Sequence, residues 1–356
     1  MQEWRKNVRN VVPYVPGEQP KAGNVIKLNT NENPYPPAPG VLKCMRDMDI
    51  SALRLYPDPD SGLLIDAIAE YYNADADQVF VGVGSDDVLA MSFLTFFNSD
   101  KPVLFPDITY SFYDVWAELF GIPYERPALK DDFTIDAEDY MRDCGGIVIA
   151  NPNAPTSLYM PVSNIERIAS EHRDAVVIVD EAYIDFGGES ALPLINKYDN
   201  ILVVRTFSKS RALAGLRIGF AIGNAALIRA LNSVKLSYNS YTMNLPSIIM
   251  GAEAIKDDAY FKQTLKRIIA TRRTAVRELC AMGFDVLDSK ANFVFAKHES
   301  IPAKYIFENL RKENIYVRYF SKPRIDNYLR ITIGTDNEMG IFLDALKSII
   351  SSCKKI

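Results

Sequence analysis

Lys209 sits in Arg205-Thr206-Phe207-Ser208-Lys209-Ser210-Arg211, and Gly215-Leu216-Arg217 follows a few residues on. The apolar run Ile201–Val204 leads into this segment, so a buried strand ending in a turn of small residues carries the lysine. A lysine amine can condense with an aldehyde, the hydroxyls of Thr206 and Ser208 can donate to phosphate oxygens, and the planar fork of Arg217 matches a phosphate. Together they suit an aldehyde cofactor that carries a phosphate. Taken alone, the same residues also read as a solvated basic turn after a strand.

A second group shifts the balance. Asp180 follows Val176-Val177-Ile178-Val179 and opens Asp180-Glu181-Ala182-Tyr183. An acid at the carboxyl end of a buried strand is costly to ionise without a cationic partner, and a protonated pyridine nitrogen is such a partner. Held protonated, the ring withdraws electrons from the substrate Cα, which is the chemistry of pyridoxal phosphate. The plainer reading of Asp180 is a helix N-cap. The Tyr183 hydroxyl is placed to reach the ring oxygen or the lysine; an ordinary half-buried tyrosine is the alternative in a chain with 19 of them.

The elements that must position these groups are short apolar runs separated by helical stretches: Val79–Val83, Val103–Phe105, Ile147–Ala150, Val176–Val179, Ile201–Val204 and Ile218–Ile222. That alternation predicts a mostly parallel sheet between helices, whose ligands lie beyond the carboxyl ends of the strands. From about Asp257 the pattern changes to a long charged helix through Met282. Strand-like Phe293–Ala296, Tyr316–Phe320 and Leu329–Ile333 then mix with helices near Ala303–Lys312 and Glu338–Ile350, as in a smaller α+β domain. The proline-rich stretch Asn33–Gly40 excludes a regular helix or central strand and links the two parts. The expected division is an N-terminal segment over 1–35 associated with the small domain, a large domain over 36–250 and a small domain over 251–356.

Composition narrows the partners. Forty basic residues are interspersed with 45 acidic ones for a net charge of −5, so no basic face points to nucleic acid or to an anionic membrane. No run approaches the roughly 20 apolar residues of a membrane span, and Met1-Gln2-Glu3-Trp4-Arg5-Lys6 has no apolar signal core. Cys44, Cys144, Cys280 and Cys353 show neither metal-ligand spacing nor a disulfide framework, so reduced thiols and a cytoplasmic setting are expected. His172 and His298 are the only histidines, lie in no motif and are expected at the surface; no metal site is expected.

Seven blocks, in order, carry a resemblance. They are Lys27–Tyr35, Tyr56-Pro57-Asp58, Gly82–Asp87, Asn151–Thr156, Asp180–Tyr183, the lysine segment and Leu329–Thr335. With these the chain resembles the fold-type I pyridoxal-phosphate aminotransferases, most of all the histidinol-phosphate aminotransferase branch. The resemblance implies an α/β fold like that of aspartate aminotransferase: a large domain with a mostly parallel seven-stranded sheet flanked by helices, plus a smaller α+β C-terminal domain. Lys209, Asp180 and Tyr183 would be catalytic. Gly84, Ser85 and Asp86, where a strand enters a helix over Val88–Phe97, would cradle the cofactor phosphate with backbone N–H groups. Thr206, Ser208 and Arg217 would complete that cradle. Tyr110 would stack on the ring, with Tyr113 near it, and Tyr56 would reach the phosphate of a neighbouring subunit in a homodimer with shared active sites.

One departure concerns the ring oxygen. The family's usual asparagine before Pro-Thr-Gly is Ala154 here, and Ser157 replaces the glycine. An alanine methyl cannot donate a hydrogen bond, so Asn153 is the named substitute, with Asn151 or Tyr183 alone as alternatives. Ser157 raises a backbone question, since serine tolerates a positive φ less well than glycine.

At the substrate end the resemblance implies Arg330 and Arg318 on a phosphate, with Tyr14, Asn29 and Asn31 at the entrance. The implied reaction is transfer of the amino group of L-histidinol phosphate to 2-oxoglutarate in histidine biosynthesis, Lys209 serving as anchor and general acid/base. An aromatic amino-acid aminotransferase or a threonine-phosphate decarboxylase on the same scaffold is the alternative. A non-enzymatic regulatory module is disfavoured, since about 30 residues before the first block leave no room for an attached DNA-binding domain.

Overall fold

The computed structural model describes residues 3–20 and 23–353, so the readings that touch Met1, Gln2 and residues 354–356 fall outside it. Runs of β-branched residues form the centre of a seven-stranded sheet in the order 79–83, 218–223, 201–206, 177–180, 146–150, 103–104 and 124–125. Only Ile218–Gly223 runs antiparallel to its neighbours; the other pairings are parallel. Strands buried on both faces need no polar alternation, and Gly146–Ala150, Val177–Asp180 and Ile201–Thr206 are buried throughout.

Alternate residues supply the two faces. Ile147, Ile149, Val177, Val179, Ile201 and Val203 pack into one apolar layer, and Val148, Ala150, Ile178, Leu202 and Val204 into the other. The seventh strand that the resemblance implies is Tyr124–Glu125, which none of the six apolar runs marks. It is a two-residue parallel edge beside Val103–Leu104, too short to show a period in sequence.

A four-stranded antiparallel sheet forms the second layer, in the order 318–319, 329–332, 293–298 and 284–286. The helices Asp258–Ala281, Ala303–Lys312 and Asp336–Cys353 contribute to its apolar core. The single strand expected over Tyr316–Phe320 is divided. Ile315–Tyr316 pairs in parallel with Ile26–Lys27, whereas Arg318–Tyr319 pairs with Leu329–Thr332, and buried Val317 lies between them. This parallel pair brings the N-terminal chain against the second sheet, and the Thr332 N–H donates to Leu28 O at 2.9 Å.

His298 corrects the surface expectation. It is 3% exposed, and its ring accepts from the Ser300 and Ile301 N–H groups and meets Met282 O, so it closes a turn. Among the described residues no helix is long and apolar enough to cross a membrane.

Candidate active site

The parallel strands end at one edge of the large sheet. The register places Gly219 opposite both Gly82 and Thr206, and Asp180 beside Ala150 and Val204. Beyond this edge lies a cavity of about 220 Å³ whose walls include Ser85, Asp86, Tyr110, Asp180, Tyr183, Thr206, Ser208, Lys209 and Arg217. Tyr14, Asn29, Arg318 and Arg330 line it from the second sheet and the N-terminal segment. These sequence-selected residues therefore share one wall-to-wall space.

The anion cradle is built by close backbone approach. The helix begins at Ser85, three residues before the expected Val88, so the Ser85 and Asp86 N–H groups open its first turn. Gly84 has φ +85°, and a Cβ there would lie 2.4 Å from Arg217 Nη2. Gly219, which the sequence reading overlooked, is equally constrained: its Cβ would lie 2.2 Å from the Gly84 carbonyl carbon. Arg217 donates to Ser208 Oγ at 3.4 Å and pairs with Asp86 at 3.2 Å. Both partners of that ion pair are partly solvated, so the pair is worth about 1 kcal/mol or less and yields readily to a phosphate. Asp86 also accepts from the Tyr110 hydroxyl at 2.8 Å, which tethers that ring at the cavity wall.

Asp180 is 6% exposed. Burial pushes its carboxyl up to about 6, against the opposing hydrogen bonds from Tyr113 and the Ala182 N–H. Tyr113, fully buried, donates to Asp180 Oδ2 at 2.7 Å, and burial beside the carboxylate holds its own phenol well above the ordinary range. Tyr113 thus acts as a fixed donor, a role that its spacing from Tyr110 alone did not disclose. Among the described residues these are its two donors, and a buried carboxyl so placed, facing a cavity, suits a cationic heterocyclic nitrogen. With the amine of Lys209 and the Ser85, Ser208 and Arg217 cradle, the residues present fit pyridoxal phosphate.

Lys209 Nζ donates to Thr30 O at 3.1 Å and lies 5.8 Å from the Tyr183 ring centroid. Its backbone is held from behind: Asn33 Nδ2 donates to Lys209 O at 2.9 Å and to Ser210 O at 3.1 Å. Ser210 Oγ donates to Asp185, which with buried Glu181 neutralises buried Arg205. Asn33 lies within the first resemblance block, but its backbone targets leave no mark in a sequence.

Asn153 and Tyr56 are placed elsewhere. Asn153 is 2% exposed and absent from the cavity wall; its amide donates to Ile108 O and Thr156 Oγ1 and accepts from Thr109 Oγ1. All of that polarity serves the loop, whereas Ala154 itself lines the cavity. Gly84 shapes the cradle from behind the wall. Tyr56 is 81% exposed and stacks on Tyr241 at 4.6 Å, outside this cavity. Ser157 does adopt φ +65°, with its hydroxyl buried and unpartnered.

At the far end, Arg318 and Arg330 are direct cross-strand neighbours. Opposed like charges destabilise a sheet unless an anion lies between them. Burial lowers the Arg330 guanidinium below its ordinary value, opposed by Tyr183 and reinforced by Arg318, and its buried Nε has no hydrogen-bond partner among the described residues. The pair is thus prepared for an anion.

The chain matches the aminotransferase class I and II family over residues 23–346. It is 52% identical over 348 residues to a histidinol-phosphate aminotransferase of Clostridium acetobutylicum, covering 98% of this chain and 99% of the relative. It is 50% identical to one of Clostridium beijerinckii, covering 99% and 98%. Among solved structures, a histidinol-phosphate aminotransferase of Clostridium acetobutylicum superposes with a TM-score of 0.84 at 25% identity, covering 92% of this chain and 99% of that one. One from Sinorhizobium meliloti, solved with pyridoxal-5'-phosphate, shares the fold with a TM-score of 0.84 at 24% identity, covering 92% and 91%. Fold, cavity and relatives agree: the chain belongs to the class I and II aminotransferases, and its cavity fits pyridoxal phosphate.

Proposed function

We propose that the chain transfers the amino group of L-histidinol phosphate to 2-oxoglutarate, giving 3-(imidazol-4-yl)-2-oxopropyl phosphate and L-glutamate in histidine biosynthesis. The observation that carries this reading is the cross-strand pair Arg318 and Arg330 at the cavity end, which suits a dianionic phosphate better than a single carboxylate. Identity of about half over nearly the full length of relatives with that activity supports it.

When bound, pyridoxal phosphate supplies the aldehyde that carries the amino group and the ring that draws electrons from the substrate Cα. Ser85, Asp86, Thr206, Ser208 and Arg217 would hold its phosphate, with Tyr110 to meet its ring and Asp180 to pair with its nitrogen. Lys209 would anchor it and, as a free amine, would take the proton from the substrate Cα. Thr30 O lies within reach to receive the resulting ammonium. Tyr14, Asn29 and the two arginines hold the substrate. Arg330→Ala should raise KM for histidinol phosphate by about 100-fold or more, with Arg330→Lys in between, because a buried charge partner is lost. Steady-state kinetics check this, and an unchanged KM would remove the phosphate reading.

The active unit on this reading is a cytoplasmic homodimer. Tyr56 is too exposed to serve its own cavity, and Ile50, Leu53 and Leu55 beside it are exposed as well, so a second copy would cover this face and receive Tyr56. Mixing Lys209→Ala subunits with Tyr56→Phe subunits should then restore activity, since one site of each mixed dimer has both native residues. No gain on mixing, in a preparation shown to exchange subunits, would place Tyr56 outside the partner's site.

A further inference from the structure

Three consecutive carbonyls of the Asn29-Thr30-Asn31 turn are taken by three different side chains. Asn29 O accepts from Arg330 Nη2 at 2.9 Å, Thr30 O from Lys209 Nζ at 3.1 Å and Asn31 O from Asn292 Nδ2 at 3.0 Å. Asn31 has φ +56°, a left-handed conformation that asparagine tolerates better than most residues.

The Asn31 side chain is locked by Thr332. The Asn31 N–H donates to Thr332 Oγ1 at 3.0 Å, and that hydroxyl gives its single hydrogen to Asn31 Oδ1 at 3.1 Å. The amide oxygen thus faces Thr332 and the amide nitrogen faces Tyr183. Nδ2 is left to donate to Tyr183 Oη, at 3.0 Å. Asn31 and Thr332 are 1% and 2% exposed, so solvent does not compete for these bonds. A phenol that accepts in this direction keeps its own proton to donate in another. Among the described residues Tyr183 donates to none, and it lines the cavity beside Lys209.

We propose that Asn31, locked by Thr332, is a positioning residue that aims the Tyr183 proton into the cavity at the ring oxygen of the cofactor. It thereby makes Tyr183 the donor where Ala154 offers no amide and Asn153 is engaged elsewhere. The proposal deepens the role given to Tyr183 above and rests on the Lys209 site. A donor on the ring oxygen weakens that oxygen's hold on the proton it shares with the lysine nitrogen, so losing the donor raises the pH at which the proton leaves.

The test is a pH titration of the visible absorbance of the cofactor-loaded protein, a readout separate from turnover. Thr332→Val and Tyr183→Phe should each raise the midpoint by about one pH unit, tenfold in proton affinity, and the double variant should rise no further. Thr332→Ser should keep the native midpoint. Asn31→Asp retains the turn but presents an acceptor to Tyr183, and should give the same rise should Thr332→Val fail to fold. A native midpoint in Thr332→Val or Asn31→Asp, or additive shifts in the double variant, would overturn the proposal. Loss of the visible band in Lys209→Ala checks the underlying site separately: a band that survives there defeats the site reading, whereas a present but unmoved midpoint defeats only the role of Asn31.

Discussion

Lys209→Ala should lose turnover by about 10⁴-fold or more, together with the visible absorbance of the lysine-bound cofactor, while the fold survives. Among the described residues Lys209 alone of the lysines lines the cavity, so none of the others described can take over the anchor or the proton transfer. The lysine is also held on both sides, by Thr30 O at its amine and by Asn33 at its own carbonyl. Its truncation leaves this backbone frame intact, since Asn33 bonds to main-chain atoms. A small added amine such as methylamine should recover part of the proton-transfer rate. Single-turnover kinetics and an absorbance spectrum on one preparation check both effects, and a variant that keeps either at native strength contradicts the assignment.

Asp180→Asn should separate function from stability. The folded carboxyl titrates at about 6 because of burial, above the unfolded aspartate value of 3.8. The folded state therefore binds more protons than the unfolded state between these values, and stability falls as pH rises through that window. In the cofactor-free protein this penalty amounts to about 3 kcal/mol by pH 7. Asparagine carries no charge to desolvate and can keep a hydrogen bond to Tyr113. Cofactor-free Asp180→Asn should thus match or exceed the native protein in stability at pH 7, without the decline between pH 4 and 6. Turnover of the loaded variant should fall by about 10² to 10³-fold, since the ring nitrogen loses the charge that keeps it protonated. Denaturant unfolding across pH, paired with kcat, measures both; a variant destabilised at pH 7 would mean that Asp180 holds the fold and not the ring.

What the sequence disclosed follows a physical line. Lys209, Asp180 and Ser85 announce themselves because reactive side chains follow apolar runs, and Arg217 because it immediately precedes the antiparallel run Ile218–Gly223; the period of those runs sets the sheet edge where they meet. Tyr124–Glu125 and Ile26–Lys27 escaped because two residues show no period. Asn153 was misplaced because its amide could serve either the ring or its own loop, and only tertiary packing decides. The Asn29–Asn31 carbonyls were invisible, since main-chain acceptors are the same in every residue. Gly219 was missed because its demand comes from Gly84, more than a hundred residues away. The question about Ser157 was well posed: the residue does occupy the left-handed region that the usual glycine would favour.

The most direct measurement is a single-turnover absorbance scan of the loaded protein with L-histidinol phosphate, phenylalanine and threonine phosphate in separate reactions. The proposed function predicts rapid loss of the visible band with histidinol phosphate alone, the substrate that brings both a phosphate for Arg318 and Arg330 and an amine for Lys209 to displace. Equal conversion by phenylalanine, or reaction of threonine phosphate alone with release of carbon dioxide, would contradict it and leave only the family and the lysine site standing.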